Sequence, residues 1–180
     1  MNNTAPEIIE KPAPGEFPPY ANMYIKLVPD DGLLLKHLAN NLEMVKTFVS
    51  SLPAEKLLHR YAPGKWTIQE ILVHIIDDER IYAYRALCFA RNDKTELPGF
   101  EQDDYSLYSN ANERNIENIM QEYEAVRLAT IALYKGLDKS ALMREGIANK
   151  NKATVRALGY HIAGHELHHI NVIKEKYLLS

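Results

Sequence analysis

A single cysteine, Cys88, stands in 180 residues, so no intrachain disulfide is possible and a reducing compartment is the natural setting. No apolar run approaches the roughly 20 residues that a membrane-spanning helix needs. Nor does the chain open with the basic and then apolar stretch of a secretion signal. An excess of one charge is lacking too: 21 Lys and Arg against 24 Asp and Glu leave a net −3. That balance gives no electrostatic footprint for nucleic acid. Internal repeats are missing, and no alternating pattern is long enough to build a sheet. These absences predict a cytoplasmic protein with no nucleic-acid partner and no membrane partner. Its length suits one domain with a sizeable core.

Proline is concentrated rather than scarce. Six of the nine prolines fall in residues 1–29, which excludes a long helix there. Phe17, Tyr20, Met23, Tyr24, Ile25, Leu27 and Val28 make that segment too apolar for a free tail. It reads as an extended strap packed on the outside of a domain formed by residues 30–180.

Four helical stripes follow. The first helix is expected over about 31–50, with Leu34, Leu38, Leu42, Val45, Phe48 and Val49 inward. Thr67-Ile68-Gln69-Glu70 fits a capping box and starts a second, over about 67–91. On it Cys88 lies about 21 Å along the axis from His74, too far to share an ion, and reads as a buried apolar side chain. A long connection at 92–111 precedes a third helix at about 112–136, with Ile116, Ile119, Tyr123, Val126 and Thr130 inward. A loop at 138–152 leads to the last, over about 154–178. The expected fold is all-α, a four-helix bundle. The second connection is long enough to span the bundle, which would set the second and third helices parallel.

The last helix carries His161, His165, His168 and His169. A histidine on an apolar helix face is usually a satisfied core residue. Two at i, i+4 project from one face and can share a metal ion, and both His161/His165 and His165/His169 have that spacing. His165-Glu166-Leu167-His168-His169 also matches the H-E-x-x-H string of zinc proteases. That reading needs a third ligand further on, and the eleven residues after His169 contain no histidine. A carboxylate di-iron site fails on ligand count, and no nucleophile elbow is present. What stays open is a histidine-only site, two ligands from the last helix and one from a facing helix. His74 is the best third ligand; His37 and His59 are weaker. Antiparallel packing of the second and fourth helices would bring His74 level with His169. Three protein ligands and a free position are the pattern of catalytic metal sites.

Gly64-Lys65-Trp66-Thr67 leading to His74 is similar to the DinB-like (DinB/YfiT) superfamily of metal-dependent hydrolases. The likeness extends through Asp78-Glu79-Arg80, Tyr84-Arg85-Ala86-Leu87, Leu97-Pro98-Gly99-Phe100 with Gln102-Asp103, and Ala163-Gly164-His165-Glu166-Leu167-His168-His169. It runs from about residue 7 to 177, and Glu101 departs from the Asp expected in the loop motif. The resemblance implies a bundle of up-down-down-up topology and a metal triad of His74, His165 and His169. His168 is then a neighbour, and Asp78, one turn from His74, would orient a ligand or metal-bound water where the plainer reading is a salt bridge to Arg85 or to a neighbouring helix. Trp66 reads as a packing anchor.

The implied function is a metal-dependent enzyme whose divalent ion, Zn²⁺ or Ni²⁺, activates water or a low-molecular-weight thiol, as a hydrolase or a thiol transferase. Its partners would be a small-molecule substrate and a second copy in a homodimer. The alternative is a non-catalytic helical binding or stress-response module with a structural or vestigial metal site.

Overall fold

Four apolar stripes give four long helices, and local chemistry at their ends decides where each begins. In a computed structural model that describes residues 8–178, the bundle helices are Leu34–Ser50, Ile68–Ala90, Ile116–Lys135 and Val155–Val172. A π turn, Ile173–Tyr177, prolongs the last. The second helix opens on the expected capping box: the Thr67 side chain accepts from the Glu70 N–H, and Glu70 accepts from the Thr67 N–H. The first starts later than the stripe predicts. Asp31 spends its carboxylate on the Leu33 N–H and the His37 ring, and Gly32 at φ +72° turns the chain before Leu34. The third starts later as well, because a 3-10 turn, Ala111–Glu113, comes first and Asn115 is the residue that caps.

Both connections hold structure that the pattern did not announce. Residues Gln102–Tyr108 form a short surface helix with no buried residue, so no apolar stripe betrays it. Glu145–Ala148 and Asn151–Thr154 pair as an antiparallel hairpin, its turn made by Asn149 and Lys150 at φ 49° and 61°. With four residues a side and only Ala148, Ala153 and Thr154 buried, the alternation is too short to stand out. Cys88, expected in the core, is only half-buried. No described helix is long and apolar enough to cross a membrane.

Side-chain pairs fix the helix directions. Glu70 meets Asn112 just before the third helix, and Arg80 meets Glu122 further along it, so the second and third helices run parallel. His74 meets His165 while Asp78 faces His161, so the second and fourth are antiparallel. Leu34 packs on Gly159 and Asn41 reaches the Ala163 carbonyl, which makes the first and fourth parallel. The result is a four-helix bundle of up-down-down-up order.

The core is split in two. One apolar cluster includes Leu34, Leu38, Tyr82, Phe89, Tyr134 and Leu158; the other includes Leu42, Val45, Ile71, Ile76, Ile119 and Ile170. Between them, at mid-height on every helix, lies a buried polar layer: Asn41, Asp78, Glu79, Arg127, Thr130, His161, His165 and Glu166. Arg127, 0% exposed, is its largest member. Its guanidinium donates to Glu79 of the second helix at 2.8 and 2.9 Å and to Glu166 of the fourth at 2.7 Å. It also donates to the Leu38 carbonyl of the first at 2.9 Å, and the Tyr123 hydroxyl closes on Glu166.

Of the expected strap, residues 1–7 lie outside the described residues. Residues 8–29 include a 3-10 turn, Pro19–Ala21, and one helical turn, Asn22–Ile25, with Ile9, Ala21, Ile25 and Val28 buried. Glu16 holds Arg156 and Thr154 at the start of the fourth helix. At Gly164 the two backbones nearly touch: a Cβ there would lie 2.2 Å from the Tyr24 carbonyl oxygen. Gly164→Ala gains at most about 1 kcal/mol of helix propensity, against roughly 1–3 kcal/mol for overpacking. A net loss of stability is therefore expected in urea denaturation, and an unchanged midpoint would show that the N-terminal turn yields freely.

Candidate metal centre

The second and fourth helices carry the site, and their antiparallel packing sets the heights of its residues. His74 projects from the second turn of one helix; His165 and His169 are one turn apart on the other. The three rings converge, with centroids 4.9 Å apart for His74–His165, 4.9 Å for His74–His169 and 4.5 Å for His165–His169. His165 Nε2 lies 3.2 Å from His74 Nε2 and 3.1 Å from His169 Nε2. Ligand atoms bound at about 2.0–2.1 Å to a tetrahedral ion are roughly 3.3 Å apart, so these separations suit a shared cation. The three residues form a group whose ligand atoms all lie within 4.8 Å of one another. His37 pairs with Asp31 at the surface, and His59 packs on Tyr177, so neither joins them.

Electrostatics favour the same use. Burial pushes His165 well below the ordinary imidazole range, holds His169 at about 3, and lowers His74. Neutral imidazoles with lone pairs turned to one point are what a divalent cation requires. Asp78 faces the cluster from the second helix. Its Oδ2 lies 3.3 Å from His165 Nδ1 and 3.4 Å from His161 Nε2. A proton on His165 Nδ1 faces that carboxylate, which leaves Nε2 free to face its partners. Burial alone would raise the Asp78 carboxyl; the His165 and His161 rings beside it outweigh that and hold it at about 2. The salt bridge to Arg85 is not made: Arg85 donates to the Pro98 carbonyl instead.

His161, the rival for His165 on spacing alone, is stacked on Tyr82 with ring centroids 3.7 Å apart and faces Asp78. Tyr24 sets its ring edge-on to His161, His165 and His168 at 5.0 to 5.3 Å, an N-terminal contribution that no motif signalled. Glu166 is engaged by Arg127 and Tyr123 and is 0% exposed, so it does not serve as the base of an H-E-x-x-H protease. A pocket of about 340 Å³ opens beside His169, walled by Tyr61, Trp66, Tyr177 and His168, with Lys65 and Asp103 among its polar groups. Trp66, expected only as an anchor, is tilted over His74 at 4.8 Å and lines this pocket.

The DinB superfamily pattern matches residues 37–173, from the first bundle helix through the last. The chain belongs to the DinB superfamily. A relative in Oceanobacillus iheyensis, named "putative metal-dependent hydrolase", is 27% identical over 142 residues, covering 78% of this chain and 81% of its own. Among solved structures, YfiT from Bacillus subtilis aligns with a TM-score of 0.66 and 18% identity, over 96% of this chain and 95% of that one. It is described as a probable metal-dependent hydrolase with an unusual four-helix bundle topology. The DinB fold is therefore shared, and the pair of helices that carries the three imidazoles lies inside the matched region.

The lowered imidazoles set the sign of a pH dependence. A histidine that titrates near 6.5 when unfolded and lower when folded binds more protons in the unfolded state between those values. Its contribution to stability is present above about 6.5 and is lost as pH falls, for His169 toward about 3. Asp78, lowered from 3.8 to about 2, loses its contribution between those two values, below the pH 7 to pH 5 range. The metal-free protein should lose stability from pH 7 to pH 5, read as a falling urea midpoint. A flat profile would mean that the folded cluster accepts protons.

Proposed function

We propose that this protein is a metal-dependent hydrolase whose divalent ion, Zn²⁺ or Ni²⁺, is held by His74, His165 and His169. The observation that carries the reading is the convergence of three buried Nε2 atoms, 3.1 and 3.2 Å from a common member, beside a pocket of about 340 Å³. The descriptions of the two relatives as metal-dependent hydrolases support it. A bound ion would supply Lewis acidity to a small molecule entering from the pocket. The chain's own residues do the rest. Asp78 faces His165 Nδ1 at 3.3 Å and its charge would favour the ring turned inward. Trp66 and the Tyr61–Tyr177 pair, 4.9 Å apart, wall the pocket with apolar surface. In this reading Asp103, which lines the same pocket and whose charge acts on His74, would accept the proton of the attacking nucleophile.

The nucleophile in this reading is water, or the thiol of a low-molecular-weight compound, since three nitrogen ligands leave a position that a soft thiolate also suits. The small-molecule substrate enters through the aromatic-walled pocket, the protein works in the cytoplasm, and two copies form a homodimer. A structural ion in a non-catalytic binding or stress-response module is the competing reading.

Elemental analysis of tag-free protein should find about one Zn²⁺ or Ni²⁺ per chain, and none in His74→Ala. His165→Ala should lose the metal and keep its helical circular dichroism, whereas unfolding would favour a structural ion. A panel of small esters and amides, with and without cellular thiols, then separates hydrolysis from thiol transfer. Metal-loaded protein inert to the whole panel would remove the enzymatic reading.

A further inference from the structure

We infer that Arg127, from a helix that contributes no metal ligand, is a positioning residue for the three-histidine centre. The inference rests on the metal reading above. Its basis is adjacency. The two carboxylates that Arg127 clamps, Glu79 and Glu166, are the immediate chain neighbours of Asp78 and His165. Those two are the pair whose contact orients the central imidazole. Successive residues on a helix are about 100° apart with a rise of about 1.5 Å. The clamp therefore holds the second and fourth helices from one side while Asp78 and His165 meet on another.

A slip of one helix by a single residue would break both sets of contacts together. On the histidine side little resists it, because the Asp78 contacts, at 3.3 and 3.4 Å, are long for hydrogen bonds. On the clamp side the bonds are charge-assisted and forked, Nε and one terminal nitrogen to Glu79 and both terminal nitrogens to Glu166, four of the five at 2.7 to 3.1 Å. The Leu38 carbonyl and the Tyr123 hydroxyl fix the clamp to the first and third helices. The register of the metal ligands is thus set by a buried ion group that touches none of the ligand side chains.

Replacing the whole group by apolar residues separates positioning from stability, because a buried ion cluster can be exchanged for packed hydrophobic side chains without loss of fold. The variant combines Glu79→Leu, Tyr123→Phe, Arg127→Met and Glu166→Leu. It should melt no lower than the wild type, yet bind Zn²⁺ about 10- to 100-fold more weakly, the range found when groups supporting a ligand are lost. Its Co²⁺-loaded form should show a shifted visible absorption spectrum. Should that variant not fold, Arg127→Lys keeps a charge and loses the fork, and is expected to weaken Zn²⁺ binding in the same direction. Wild-type Zn²⁺ affinity and an unchanged Co²⁺ spectrum in a folded variant would overturn the inference. Wild-type protein that takes up no Zn²⁺ at all would instead remove the three-histidine reading on which it stands.

Discussion

A guanidinium at the centre of the bundle has to be neutralised there, and that requirement organises the molecule. Arg127 is taken wholly out of water, a cost recovered only if opposite charge and acceptors surround it with good geometry. Glu79 of the second helix, Glu166 of the fourth and the Leu38 carbonyl of the first provide them, and Tyr123 of the third donates to Glu166 in turn. A purely apolar core would accept several helix orders and rotations, since hydrophobic contact has no direction. This one accepts an arrangement in which three particular groups from three other helices reach one side chain. The polar layer accordingly divides the apolar core into two clusters and gives the bundle a fixed waist.

The histidine cluster shares that waist but follows the opposite electrostatic rule. Arg127 stays charged because two carboxylates face it; the imidazoles stay neutral because burial is the largest influence on each. Asp78 sits where the two regimes meet. The division also explains why an H-E-x-x-H string here does not behave as one. In a zinc protease the glutamate between the ligands faces the substrate. In this bundle the same position points into the interior and is spent on Arg127, so two histidines at one spacing carry different chemistry according to where the intervening carboxylate goes. The identity of a local string is settled by packing.

Much of this was legible in the chain. The capping box at Thr67 is a local hydrogen-bond pattern, and it marks the start of the second helix directly. The apolar stripes of the four helices have the helical period, and a connection too long for a hairpin gave the parallel pair. His74 and His169, far apart in the chain, could be matched by height along two antiparallel axes. Other features have no local signature. The hairpin at 145–154 is stabilised by what it rests on, with Gly146 against the Phe89 ring. The helix Gln102–Tyr108 buries nothing. Arg127 looked like any charged residue on an amphipathic helix, although it lies on the same face as Tyr123, Thr130 and Tyr134. An arginine inside a buried stripe was the one clue to the waist, and apolar counting passes over it.

The separation of 91 positions between His74 and His165 has a consequence for biosynthesis. Chains leave the ribosome from the N-terminus, so the first imidazole is exposed long before its partners exist. A nascent chain lacking the last helix would offer a divalent cation only one imidazole of the proposed three. Long-range closure of this kind is also slow, because the loop must be ordered before its ends reward the ordering. In the metal reading proposed above, capture of an ion would be deferred until synthesis is nearly finished.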